Sequence, residues 1–286
     1  MTTAEVVTVV DDLRSRLETV RAAGGSVGLV PTMGFLHAGH ASLIEAAVGG
    51  NDMTVVSVFV NPLQFAAHED LDNYPRDPVA DLELCGRNGA DLVFSPSVGE
   101  MYPDPGVAEV EVGDLASRLE GVSRPAHFPG VATAVSRLFA ITGPCSAYFG
   151  EKDFQQLAVV RQLVASHSIP VEVVGCPTVR EPDGLALSSR NAYLTEAERA
   201  EATVLHAALL AGADAVAAGE SDPAVVASAM SGMIGGASTG ELDYVAVVDP
   251  DTFVTPTVIA GAGVRLLVAC RFGRARLIDN MAAAPS

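Results

Sequence analysis

The chain of 286 residues carries 35 acidic against 17 basic side chains, a formal net charge of −18, and a mean hydropathy of +0.33. That acidic excess excludes nucleic acid as a partner, because binding a phosphate backbone needs a basic surface. Much of the 49% apolar fraction is alanine, no apolar run reaches the roughly eighteen residues of a spanning helix, and the first five residues offer no basic start to a signal peptide, so a cytoplasmic protein without a membrane partner is expected.

In chain order, apolar runs over 27–30, 54–60, 92–94, 145–149 and 171–174 predict strands. Several are continuous rather than alternating, as parallel strands covered on both faces are. Helical periodicity lies between them, over 41–48, 79–88, 131–141 and 154–166. This alternation predicts an α/β protein with a doubly wound parallel sheet. Near Thr178 the texture changes. Thr195 opens an alanine-rich helix with Glu198 three residues on, a capping-box pattern. Ser221-Asp222-Pro223 breaks it, a second helix runs to Ile234, and strands follow over 244–248, 265–270 and 274–278. Two domains are expected, 1–178 and a smaller α+β domain over 179–286. Cys85, Cys145, Cys176 and Cys270 form no Cys-x-x-Cys pair and read as buried thiols rather than metal ligands or disulfides.

In doubly wound sheets ligands sit beyond the carboxyl ends of the strands, and there this chain collects its polar residues. Pro31-Thr32-Met33-Gly34-Phe35-Leu36 follows the first predicted strand, then His37-Ala38-Gly39-His40 and a helix. The first turn of a helix has N–H groups without partners and the positive end of the dipole, which makes an anion site. Two imidazoles add donors, and Gly39 has no Cβ to obstruct a ligand. A metal pair, or two solvated histidines, is the alternative. The second strand is followed by Asn61-Pro62-Leu63-Gln64-Phe65, and the fourth by Gly150-Glu151-Lys152-Asp153-Phe154-Gln155-Gln156. Lys152 adds to a dipole's pull on phosphate there, although a lone lysine at such a point is more often solvated. In Ser188-Ser189-Arg190-Asn191 the guanidinium is a rigid fork suited to phosphate oxygens, or else a surface arginine beside a helix cap. No Gly-x-Ser-x-Gly elbow makes either serine a nucleophile, and no Walker motif is present. Two histidines, a lysine and an arginine with no nucleophile describe a site that stabilises charge on phosphate, which suffices for phosphoryl or nucleotidyl transfer. Tyr74-Pro75-Arg76-Asp77 and Arg124-Pro125-Ala126-His127-Phe128 read as loops without an assignment.

Together these blocks, with His127-Phe128-x-Gly130-Val131 and Leu277-Ile278-Asp279-Asn280, resemble the pantothenate synthetase family in order and over almost the whole chain. His-x-Gly-His alone would mark only the wider nucleotidyltransferase superfamily. The resemblance implies a Rossmann-like first domain binding nucleotide and pantoate, with the C-terminal domain covering the site. It also implies a two-step ligation: pantoate attacks the α-phosphorus of ATP to give pantoyl adenylate and pyrophosphate, then β-alanine displaces AMP. By motif, His37, His40, Lys152 and Arg190 would be catalytic. Met33, Gly39, Gly150, Asp153, Val179, Ser188 and Ser189 would join them around ATP, Asp153 on the ribose, while Gln64 and Gln156 would bind pantoate beside Asn61 and Met33. The family is dimeric. Ala38, Leu187 and Phe154 stand where it commonly has glutamate, methionine and tyrosine. Its acidic cluster after Tyr-Pro-Arg is reduced to Asp81, so Mg²⁺ is expected on the ATP phosphates, with no metal ligand in the protein. The rivals are a cytidylyl- or adenylyltransferase with a phosphate acceptor, for which few extra cations are present, and a metal-dependent sensor built on the two histidines, which lacks nearby cysteine or carboxylate ligands.

Overall fold

A computed structural model describes residues 4–66, 71, 72, 74–104 and 110–286. Two compact units divide the chain, Met1–Pro177 and Thr178–Ser286. In the first, strands β1 (Glu5–Val7), β2 (Val27–Thr32), β3 (Met53–Val58), β4 (Leu92–Phe94), β5 (Cys145–Gly150) and β6 (Val171–Cys176) form one sheet in the order β1-β4-β3-β2-β5-β6, every neighbouring pair parallel. Its helices are α1 (Val10–Ala22), α2 (Ala38–Gly50), α3 (Pro78–Arg87), α4 (Val98–Met101), α5 (Glu120–Ser123), α6 (His127–Thr142) and α7 (Phe154–Ser166).

Strand side chains alternate between faces. Val27, Leu29, Val55, Leu92, Phe94, Ala147 and Phe149 pack in one cluster with residues of α1, α6 and α7, such as Leu17, Phe139 and Leu157. Their neighbours Val30, Val56, Val93 and Tyr148 pack in another with Ile44 and Ala47 of α2 and Cys85 of α3. Both faces are therefore covered, and the continuous apolar runs of the sequence follow from that. Chain order reverses at β2, which has β3 on one side and β5 on the other. This topological switch point is where a doubly wound sheet opens a crevice.

In the second unit α8 (Glu196–Glu201), α9 (Val204–Ala217) and α10 (Pro223–Ile234) precede an antiparallel sheet of β7 (Gly240–Val248), β8 (Val264–Phe272) and β9 (Ala275–Ala283). Thr195 and Glu198 form the expected capping box, but the helix they open pauses at Ala202 and Thr203 before α9. The stretch Glu196–Ala217 is long and apolar enough, by length and composition, to cross a membrane, which departs from the sequence expectation. In this fold Leu205, Ala208, Leu209 and Val216 from it pack with Val226 and Met230 of α10 and with Leu266, Val268 and Phe272 of β8. Its apolar stripe is thus spent on a core.

Three sequence readings change. The segment at His127 and Phe128 is the first turn of α6 rather than a loop, β1 with α1 was not anticipated, and the strands over 244–248 and 274–278 are longer than expected. Burial lifts the thiols of Cys85 and Cys145 to about 12 and that of Cys270 to about 11, which leaves them unreactive.

Candidate active site

The chain leaves β2 through a turn that side chains resist. Gly34 and Phe35 both take positive φ, 84° and 52°, and a Cβ on Gly34 would lie 3.0 Å from Asp81 Oδ2. Asp81, buried on α3, holds this turn from outside. Its Oδ2 accepts from Phe35 N–H (3.0 Å) and its Oδ1 from Leu36 N–H (2.7 Å). Burial pushes the Asp81 carboxyl up, against the pull of the two amides. The carboxylate read from sequence as the remnant of an acidic cluster is thus committed to backbone, and among the described residues no three His, Cys, Asp or Glu side chains gather as metal ligands.

His37 is the N-cap of α2 and His40 its third residue, and the two imidazoles cap the helix reciprocally. His37 Nδ1 accepts from Gly39 N–H (3.1 Å), and His40 Nδ1 accepts from His37 N–H (3.2 Å). The N–H of His40 goes to the His37 carbonyl. The anion site expected from first-turn amides is therefore differently built. The N–H groups of His37, Gly39 and His40 are occupied by the cap, and the Nε2 edge of each ring takes no part in it. A ring nitrogen that accepts carries no proton, so in neutral histidine the proton sits on Nε2. The ring centroids are 4.2 Å apart. Burial first, then the Lys152 charge, holds His37 down at about 4, and burial with the His37 ring holds His40 at about 3. Both are neutral Nε2–H donors at pH 7.

Lys152 and Asp153 follow β5, the neighbour of β2 across the switch point. Gly150 ends that strand, and a Cβ on it would meet only Lys152 N, 4.0 Å away. The Lys152 ammonium lies 3.6 Å from Asp153 Oδ1. Lys152 lowers, and Asp153 raises, the proton affinity of both His37 and His40, so the four groups share one electrostatic neighbourhood. Gln156, half-buried in the first turn of α7, makes no side-chain hydrogen bond among the described residues. Its neighbour Gln155 is buried and structural: it accepts from Glu120 N–H and donates to the carbonyls of Leu115 (2.7 Å) and Arg118 (2.8 Å).

Gln64 follows β3 and is held at both its side-chain amide and its backbone carbonyl. Its Nε2 contacts Met33 Sδ at 3.1 Å, and its Oε1 accepts from Asn61 Nδ2 at 3.1 Å. Its carbonyl lies 3.4 Å from both Arg124 and His127, the residues that sequence left without a role. A Cβ on Gly130 would fall 2.3 Å from Leu63 O, so only glycine lets α6 rest on this backbone. Burial, with the Arg124 charge, lowers His127 to about 4.

Val179, Ser188, Ser189 and Arg190 belong to the second unit. Val179 accepts from Leu187 N–H there, and Ser188 Oγ caps the turn Ser189–Tyr193 by accepting from Arg190 N–H (3.3 Å). The bend before them is braced by Arg180, which donates to both oxygens of buried Asp279 at 2.6 and 2.9 Å. That pairing accounts for the Leu-Ile-Asp-Asn block in local terms.

The pantoate–β-alanine ligase model matches residues 5–282. The chain belongs to that family. It is 48% identical over 279 residues to the pantothenate synthetase of Sinorhizobium medicae, covering 98% of this chain and 96% of that protein. With the Moorella thermoacetica pantothenate synthetase it shares 48% identity, over 97% and 98% of the two chains. The crystal structure of the Thermus thermophilus enzyme superposes with a TM-score of 0.92 at 48% identity, covering 97% of this chain and 98% of that one. The Francisella tularensis pantoate–β-alanine ligase, solved with a β,γ-ATP compound and β-alanine, gives 0.81 at 32% identity over 98% and 97%. These relatives carry both the Rossmann-like sheet and the small antiparallel unit that this ligase family member shows.

Proposed function

We propose that the chain condenses pantoate with β-alanine to form pantothenate, driven by ATP through a pantoyl adenylate, and releases pyrophosphate and AMP. The observation that carries this reading is the pair of reciprocally capped, neutral imidazoles beside Lys152 at the switch point of the sheet. Adenylyl transfer needs oriented donors where charge builds on phosphate oxygens, and little covalent chemistry from the protein. His37 and His40 give Nε2–H donors to the ATP phosphates, with His40 the leading catalytic residue. Lys152 and Arg190 neutralise the developing charge, Ser188 and Ser189 donate to it, and Met33, Gly39, Gly150 and Val179 line the nucleotide whose ribose Asp153 holds. Gln64 and Gln156 receive pantoate. Mg²⁺ arrives on the phosphates of ATP, since the Asp81 oxygens are engaged by amides. The working form is a cytoplasmic homodimer, like the family it belongs to.

Pyrophosphate exchange into ATP tests the proposal. Exchange should require pantoate and not β-alanine, and full turnover should yield AMP. Exchange driven equally by an unrelated acid would refute the acid substrate, and a dinucleotide-like product would favour transfer to a phosphate acceptor instead.

A further inference from the structure

Asn61 is 2% exposed, and its amide has four hydrogen-bonding positions, two donor and two acceptor. All four are filled from within the protein. Oδ1 accepts from Leu63 N–H (3.2 Å) and from the Tyr102 hydroxyl (2.9 Å). Nδ2 donates to Gly130 O (3.0 Å) and to Gln64 Oε1 (3.1 Å). Two of these partners are backbone groups that can only donate or only accept, so the amide cannot turn over without breaking both. Nothing of Asn61 is left for a substrate.

Gln64 is the opposite case. Its Oε1 receives one bond from Asn61 and its Nε2 spends one N–H on Met33 Sδ, so among the described residues one N–H and one lone pair remain. Which of the two faces the substrate is decided by Asn61, because an Nδ2 donor can hold only the oxygen of Gln64. The glutamine is thereby prevented from flipping, and its amide nitrogen is kept available as a donor for an acid's oxygen. Tyr102 stands behind Asn61, its ring edge-to-face on Phe59 at 5.9 Å. Four segments far apart in sequence meet here: the turn after β2, the turn after β3, the residue closing α4 and the first turns of α6.

We propose that Asn61 is a positioning residue that acts on the acid substrate only through Gln64, with Tyr102 as its second support. This rests on the assignment of pantoate to Gln64 made above. The consequence is a coupling that direct contact would not produce: once Gln64 has lost its amide, Asn61 has nothing left to orient.

A double-mutant cycle on the KM for pantoate, read by pyrophosphate exchange, tests this. Gln64→Ala should raise that KM about a hundredfold and Asn61→Ala about tenfold in the wild-type background, with the KM for ATP within about twofold of wild type. On the Gln64→Ala background, Asn61→Ala should add less than about twofold. Tyr102→Phe keeps the ring and removes only the hydroxyl, so it carries the same cycle if Asn61→Ala does not fold. Its expected increase is about threefold with Gln64 present and none without it. A full, additive increase on the Gln64→Ala background, with pantoate-dependent exchange intact in the wild type, would overturn this inference alone. Loss of pantoate dependence in the wild type would overturn the functional reading and this inference with it.

Discussion

The turns after β2 and β3 leave neighbouring parallel strands at their carboxyl ends, yet they hold the side chains proposed to meet substrate in different ways. After β2, His37 and His40 are fixed by bonds spanning two and three residues, with Asp81 as a distant support on the turn that leads to them. After β3, Gln64 is oriented by Asn61, and Asn61 in turn by Tyr102 and Gly130, 41 and 69 residues away. Groups that act on phosphate need only a local cap to present them, because helix geometry does the aiming. A neutral amide that must distinguish donor from acceptor needs a network: Asn61 holds Gln64 from three residues away, but Asn61 is itself fixed by partners far off in the chain.

The largest effect that would sharpen this contrast is His40→Ala. Losing a donor of this kind should lower turnover by about a thousandfold, whereas losing one capping bond should cost only about 1 kcal/mol, so steady-state kinetics and a thermal melt should disagree strongly. A melt that collapses with the activity would mean that the histidine is chiefly structural. Gly130→Ala attacks the other turn from its distant side. The added methyl must displace the backbone at Leu63 and Gln64, costing about 1–3 kcal/mol in urea unfolding, and the KM for pantoate should rise more than that for ATP. Asp81→Asn asks how far the local turn depends on this remote clamp. It keeps one acceptor and sets an NH₂ against a backbone N–H, so stability should fall by about 1–3 kcal/mol, with a KM for ATP raised more than that for pantoate. A reversed order of the two KM changes would erase the distinction between the turns.

Acid gives the smallest and most diffuse effect. His37 and His127 sit at about 4 and His40 at about 3 when folded, against 6.5 for the unexposed-to-structure value of a free chain. The unfolded chain therefore takes up protons first, and stability is full above 6.5 and is lost as pH falls toward 4. Urea midpoints measured between pH 7 and pH 5 should decline, and His127→Gln should flatten the decline. A midpoint that rises on acidification would contradict the neutral, buried state of these rings.

The same contrast explains what could be read from the chain beforehand. Strands β2 to β6 are signalled by apolar runs, and His37, His40 and Lys152 by their place after a strand, because each of these signals lies within a few residues. β1 is as short as β4, but where Leu92-Val93-Phe94 is wholly apolar, β1 opens on Glu5 and is followed by Thr8, so no apolar run marks it. Asp81 looked like a remnant of a metal cluster until its partners were visible. Tyr102 and Arg180 have no local signature, and Gly130 and Asp279 stand in blocks that carry the resemblance without showing what they do there, since their partners lie 41 to 99 positions away. Even the helix cap was legible only in part: the sequence places imidazoles at the first turn of α2, but not their use of the very amides a phosphate was expected to take.

The central claim is that His37 and His40 meet ATP as neutral rings, with Nδ1 held by the cap and the proton on Nε2. Histidine-selective ¹⁵N NMR, assigned with single His37→Gln and His40→Gln variants, reads this directly. Both residues should show an unprotonated Nδ1 and a protonated Nε2 at pH 7, and neither should titrate on going down to pH 5. Imidazolium signals at pH 7, or protons on Nδ1, would contradict the account.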